Sequence, residues 1–181
     1  MTNSQINTLV LTSCVKEKAF PSDDPQIRAL LKSRGLDFPG CDLKNEDKYR
    51  EVLSEFMLPA AQMYRRSFRF IKTLVSRLGN EGRNVDLFIL SARYGLINEE
   101  HEIIPCECGL LDMKKNEIRQ WAKERAILKQ LQGVLEETTY EHIIVILGEK
   151  YFLALLSIDL DVRANLLDRS PVSLLKVSRA D

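Results

Sequence analysis

Three short clusters of residues combine side chains suited to holding a polar ligand or attacking it. Ser13 to Lys18 reads SCVKEK and offers a hydroxyl, a thiol at Cys14 and two cations, Lys16 and Lys18. Ser91 to Gly95 reads SARYG, placing Ser91, Arg93 and Tyr94 ahead of a glycine that permits a tight turn. Gly148 to Tyr151 reads GEKY, a glycine open to close backbone approach followed by a phenol. Lys and Arg read oxyanions, and a tyrosine packs on a planar ring or hydrogen-bonds its edge, so together they suit a planar polar or anionic ligand. Polar punctuation at strand ends also occurs without any ligand, and the weight comes from three such clusters in one chain. Cys14 beside two cations would gain thiolate character if they lie close. Phosphatase spacing is not met, because the sixth residue after Cys14 is Phe20, and a free cysteine more often serves as a small buried hydrophobe.

Two further groups invite chemistry more weakly. Cys106-x-Cys108 with His101 nearby is half of a zinc site at most, since structural zinc uses C-x(2–4)-C pairs and no second pair follows. The reading is no metal and free thiols on a loop. Arg65, Arg69, Lys72 and Ser76 fall at helical spacing, flanked by Arg66 and Arg77, as a row that would suit phosphates or simply form a solvated helix face. No P-loop, G-x-G-x-x-G, H-E-x-x-H or G-x-S-x-G pattern occurs, and no cofactor is expected.

The elements that must position these residues follow from hydrophobic patterning. TLVLTS (Thr8 to Ser13), VDLFILS (Val85 to Ser91) and HIIVIL (His142 to Leu147) are short, nearly continuous apolar runs, as in central strands covered on both faces. VSLLKV (Val172 to Val177), introduced by Pro171, is a weaker fourth. Between them the spacing predicts a long helix from about Ala60 to Leu78, stopped by Gly79-Asn80. A second is predicted from about Met113 to Glu136 with Asp112 as N-cap, and a third from about Glu149 to Leu156. Residues 15–50, broken by Pro21, Pro25, Gly35, Pro39 and Gly40, read as a structured, partly mobile insertion around a short helix near Gln26 to Ser33. Strand–helix alternation means α/β with a mostly parallel sheet of about four strands in a single domain over 1–181. In such sheets ligands bind outside the carboxyl ends of the strands, where all three clusters fall.

Composition sets the outer bounds. The chain has 181 residues, 45% of them hydrophobic, with 26 Lys plus Arg against 26 Asp plus Glu. A net charge of zero argues against a whole-protein nucleic-acid clamp or an acidic disordered tail. Apolar runs such as Ile143 to Leu147 fall far short of the 18 or so residues that suggest a bilayer span, and no basic residue precedes the first apolar stretch. Four cysteines (Cys14, Cys41, Cys106, Cys108) do not suggest a disulfide framework, so a soluble, reduced, cytoplasmic protein is expected, with no membrane partner.

The order of the clusters resembles a family of small, mostly uncharacterised bacterial and phage domains. Its members carry S-x-C-(S)-K-x-K at a strand end, a helix with P-A-x-x-L-Y, and a strand reading I-L-S-A-[KR]-[YH]-G-L. The matching stretches are SCVKEK, PAAQMY (Pro59 to Tyr64) and ILSARYGLI (Ile89 to Ile97), with RQWAKE around Trp121 and GEKY further on. More distantly the layout is similar to the core domain of archaeosine synthase, and through it to the uracil-DNA glycosylase-like fold. That resemblance implies a three-layer α/β/α sandwich and a nucleobase, nucleoside or nucleotide ligand, with tRNA or DNA as the larger partner. It adds Tyr64 to the ligand-binding set of Ser13, Lys16, Lys18, Ser91, Arg93, Tyr94, Gly95, Gly148 and Tyr151. Val15 stands where the family has a hydroxyl residue, and Cys106-Glu107 where it has Tyr-Asp. Glu107 is then the general acid or base beside Cys14. The expected function is nucleic-acid base modification with glycosylase-like or 7-deazaguanine-related chemistry. The alternative is a non-catalytic nucleotide- or nucleic-acid-binding module of a modification or phage-defence complex.

Overall fold

The first strand, β1 (Asn7–Ser13), buries Thr8 through Thr12 without a break, which a strand manages only when both its faces are covered. It pairs in parallel with β3 (Asn84–Ser91) on one edge and β6 (His142–Leu147) on the other, and β7 (Val172–Lys176) extends the sheet in parallel from β6. β4 (Gly95–Asn98) turns back antiparallel on β3, giving the order β4-β3-β1-β6-β7. The computed structural model describes residues 6–156 and 172–176. The chain is thus α/β, with four parallel strands and an antiparallel edge strand. All four expected strands form, and β4 was not expected. Gly95 takes φ +81° at the tip of the β3–β4 hairpin, and a Cβ there would meet Gln130 Oε1 at 3.0 Å and Ile127 Cδ1 at 3.3 Å. The motif glycine therefore serves a close backbone approach, with the Leu96 N–H donating to Gln130 Oε1 at 3.0 Å.

Residues 15–50 hold α1 (Pro25–Ser33) and the start of α2 (Glu46–Val52), followed by a 3₁₀ turn at Ser54–Phe56. Asp24 caps α1, its carboxylate accepting from Gln26 N–H and Ile27 N–H. Ile27 and Leu31 then pack with Leu53, Phe56 and Ile104 in a second small core. A two-residue ladder joins β2 (Leu58–Pro59) to β5 (Glu102–Ile103).

The expected helix from Ala60 to Leu78 is two helices, α3 (Ala60–Met63) and α4 (Phe68–Asn80). The loop after β1 competes for the backbone between them: Ala19 N–H donates to Met63 O (2.7 Å), Arg65 N–H to Glu17 O (3.0 Å), and Lys18 bridges Tyr64. Tyr64 is extended and Arg66 left-handed, so the helical ladder cannot pass through. The expected helix from Met113 to Glu136 also divides, into α5 (Lys115–Glu124) and α6 (Ile127–Glu137), at left-handed Ala126. Its cap is Lys114 rather than Asp112, the Lys114 N–H donating to Glu117 Oε2 at 2.5 Å. α7 (Glu149–Leu156) follows β6 as expected. Among the described residues no helix is long and apolar enough to cross a membrane.

Cysteine usage differs from the expectation of four reduced thiols. Cys41 and Cys108 form a disulfide with Cα atoms 4.8 Å apart, tying the insertion to the loop after β5, while Cys14 and Cys106 are free and buried. A separation of 67 residues hides that pairing from the sequence.

Candidate functional site

The parallel strands run in the chain order second, first, third, fourth (β3-β1-β6-β7), so the connections diverge to either side of β1. A crevice is expected outside the carboxyl ends of β1 and β6, where that order reverses. Cys14 leaves β1 there, its N–H donating to Leu90 O at 3.0 Å, and Ser13 beside it is half-buried. Tyr151, in the first turn of α7, meets it from β6: Cys14 Sγ and Tyr151 Oη are 3.0 Å apart. Tyr64, Ser91 and Cys106 complete a buried group whose five members are 2–8% exposed. Burial first, and then the facing Cys14 thiol, holds the Tyr64 and Tyr151 phenols well above the ordinary tyrosine range, while Ser91 bonds to Tyr64 and opposes the shift. Burial also pushes the Cys106 thiol up, against the pull of Lys18 and Arg93. These phenols stay protonated at neutral pH and act as hydrogen-bond donors or acceptors.

At the rim, Lys18 is half-buried with Nζ 5.9 Å from the Tyr64 ring centre and donates to Lys16 O at 3.4 Å, while Lys16 is exposed. Lys150 donates to Met113 O at 2.7 Å. A Cβ built on Gly148, at the end of β6, meets nothing within 4 Å, so the space beside it is open.

Arg93 and Tyr94 are brought to the hairpin tip for a different task. Arg93 is 1% exposed, and its guanidinium donates to Glu46 Oε2, to Gly40 O and to Asp42 O. The Tyr94 hydroxyl donates to Glu46 Oε1 (2.9 Å) and accepts from Ile104 N–H (3.4 Å). Burial and the Glu46 carboxylate raise the Tyr94 phenol well above its ordinary value. The Arg93 charge pins the 40–46 segment of the insertion, helped by Arg125 donating to Cys41 O at 3.1 Å. Trp121 steadies the same turn, Nε1–H donating to Ala92 O at 2.8 Å.

Glu107 is exposed and lies outside the buried group, its N–H donating to Pro39 O at 2.8 Å. The Cys108 sulfur is committed to Cys41, so it offers no thiolate to a metal. Among the described residues no group of three or more His, Cys, Asp or Glu side chains is placed to hold a metal ion. Sequence reasoning missed Cys106 as a member of the buried group and Glu46 as the partner of Arg93. Nothing in the spacing joins Glu46 to a residue 47 positions away. Cys106 carries one signal, its place where the family has Tyr-Asp, but the reading there is a free thiol on a loop.

Residues 52–168, about two thirds of the chain, match the family of unknown function DUF6884. The chain belongs to that family. No curated protein and no solved structure matches it. The DUF6884 segment holds Tyr64, the SARYG turn, Cys106 and Tyr151, whereas Cys14 joins the buried group, and Glu46 the Arg93 turn, from outside it.

Proposed function

We propose that the crevice at the ends of β1 and β6 binds a nucleobase, nucleoside or nucleotide, and that the protein acts in nucleic-acid base modification. The observation that carries this reading is the meeting of Cys14 and Tyr151 at 3.0 Å beside the open space at Gly148. A thiol and neutral phenols suit the edge and face of a base, and Lys16 and Lys18 lead away from them toward the position of a phosphate. The strand order also suits the three-layer α/β/α, uracil-DNA glycosylase-like arrangement that the motif resemblance implies.

One observation favours the binding-module version over the enzyme. The five buried residues include no carboxylate, Glu107 lies outside them, and the guanidinium of Arg93 is taken by Glu46. Glycosylase-like chemistry would need Glu107 to reach the ligand as general acid or base.

Calorimetric titration with nucleobases, nucleosides and nucleoside monophosphates tests the reading. Saturable binding is expected, weakened about tenfold in Lys18→Ala through loss of a charge-assisted contact. It is expected to vanish in Gly148→Leu, which fills the open space without entering a left-handed backbone region. Absence of binding in the wild type, or binding untouched by Gly148→Leu, would overturn it. Mass spectrometry of the recovered ligand then separates enzyme (altered) from module (unaltered).

A further inference from the structure

We infer that the outward face of α4 is a binding surface for single-stranded nucleic acid, with phosphates on Arg69 and Arg77 and an unpaired base stacked on Phe70. This surface is argued independently of the β1–β6 crevice. From Phe56 to Asn80 the chain carries Arg65, Arg66, Arg69, Lys72 and Arg77 and not one Asp or Glu, in a protein whose total charge is zero. The opposite side of α4 packs inward through Phe68, Ile71 and Leu78, so the cations on its outer side face solvent. Arg69, Phe70, Thr73, Leu74 and Arg77 line one groove there.

Phe70 is 64% exposed, the highest of the large apolar side chains described, and the Arg69 guanidinium carbon lies 4.9 Å from its ring centre. Among the described residues no carboxylate comes within 4.0 Å of Arg65, Arg69, Lys72 or Arg77, and Arg66 reaches only Glu17, at 3.9 Å. Lys72 lies on the other flank and faces Glu99, so it is left out of the surface.

The occupant follows from that chemistry. Two arginines eight residues apart are about 12 Å apart along a helix, a span that suits a phosphate backbone crossing the groove. An aromatic ring between cations is the stacking platform of single-strand binders, and it has no use for a duplex whose bases are already stacked. A lipid surface would need a broad apolar stripe, whereas one phenylalanine and half-buried Leu74 are all the large apolar side chains lining this groove. Acidic protein segments satisfy the arginines and leave Phe70 without a role. The strand also has a path to the crevice: Arg65 N–H holds Glu17 O and Tyr64 bridges Lys18, so basic positions continue from Arg69 through Arg66 and Arg65 toward Lys18 and Lys16.

Fluorescence anisotropy with labelled 20-mers of deoxythymidylate and uridylate, and a duplex of equal length, tests the inference on the full chain. Single strands are expected to bind more tightly than the duplex. Phe70→Ala should weaken single-strand binding about tenfold with the salt slope unchanged. Arg69→Gln and Arg77→Gln should each lower that slope by about 0.7. Equal binding of duplex and single strand, an unaffected Phe70→Ala variant, or preference for phosphatidylserine vesicles or polyglutamate would each overturn it. Mononucleotide titration separates the two surfaces: Gly148→Leu loses the mononucleotide and keeps the 20-mer, whereas Arg69→Gln/Arg77→Gln does the reverse.

Discussion

Arg93 at the hairpin tip and Arg69 on α4 carry the same side chain into contrasting surroundings. Arg93 is almost wholly enclosed, its charge matched by Glu46 and its donors engaged by two backbone carbonyls of the insertion. Arg69 stands in solvent against an exposed ring with no carboxylate within salt-bridge range. Arg93 reads from the sequence as a cation available to an anionic ligand, and Arg69 as part of a row that would suit phosphates or simply form a solvated helix face. The difference teaches that a cation's availability depends on whether tertiary structure has already supplied a counter-ion. The run from Phe56 to Asn80 without Asp or Glu hints at it for Arg69, but nothing near Arg93 in sequence points to Glu46.

Three measurements press on that contrast. The largest effect is expected for Arg93→Met, which leaves Glu46 to Arg50 and Tyr94 alone and strands two carbonyls of the insertion. Removing one partner of a buried pair costs about 3–5 kcal/mol, so urea unfolding should show a fall of that order. A loss below about 1 kcal/mol would mean that the insertion is not held by this charge. A smaller and pH-dependent effect is expected at Glu99, whose carboxyl is raised above its ordinary value by burial and then by Glu100 and Asp86. Because its folded pKa exceeds the unfolded one, the folded state binds more protons, and stability is lost as pH rises from the unfolded pKa through the folded one. Glu99→Gln should therefore raise the Tm by up to about 2 °C at pH 7 and leave it unchanged at pH 3. The smallest effect belongs to Arg69→Gln, within about 0.5 kcal/mol of wild type, as expected of a surface charge with no carboxylate partner. A larger loss there would mean that Arg69 has a structural role like that of Arg93.

The sheet was legible because its signal is local. Continuous burial leaves its mark in Thr8 to Thr12, whereas the apolar run of β6 alternates buried with half-buried positions, and each strand begins and ends close to where its residues change character. The helices were legible as types but not as lengths. Periodicity runs straight through Tyr64 and Ala126, and what breaks it is a competing backbone partner in one case and a left-handed residue in the other. The antiparallel β4 was hidden for a related reason: Gly95-Leu96-Ile97 is too short to show a period and reads as the tail of the preceding turn.

Residue type and order alone determined that this chain would build a parallel sheet and send Cys14, Ser91 and Tyr151 to strand ends, since backbone burial and side-chain period act over a few neighbours. Only the tertiary structure decided which of those groups would meet. It set Cys14 against Tyr151 across 137 residues, gave Arg93 to Glu46 and joined Cys41 to Cys108. Such pairings depend on distances closed by the whole fold, and no short stretch of sequence encodes them.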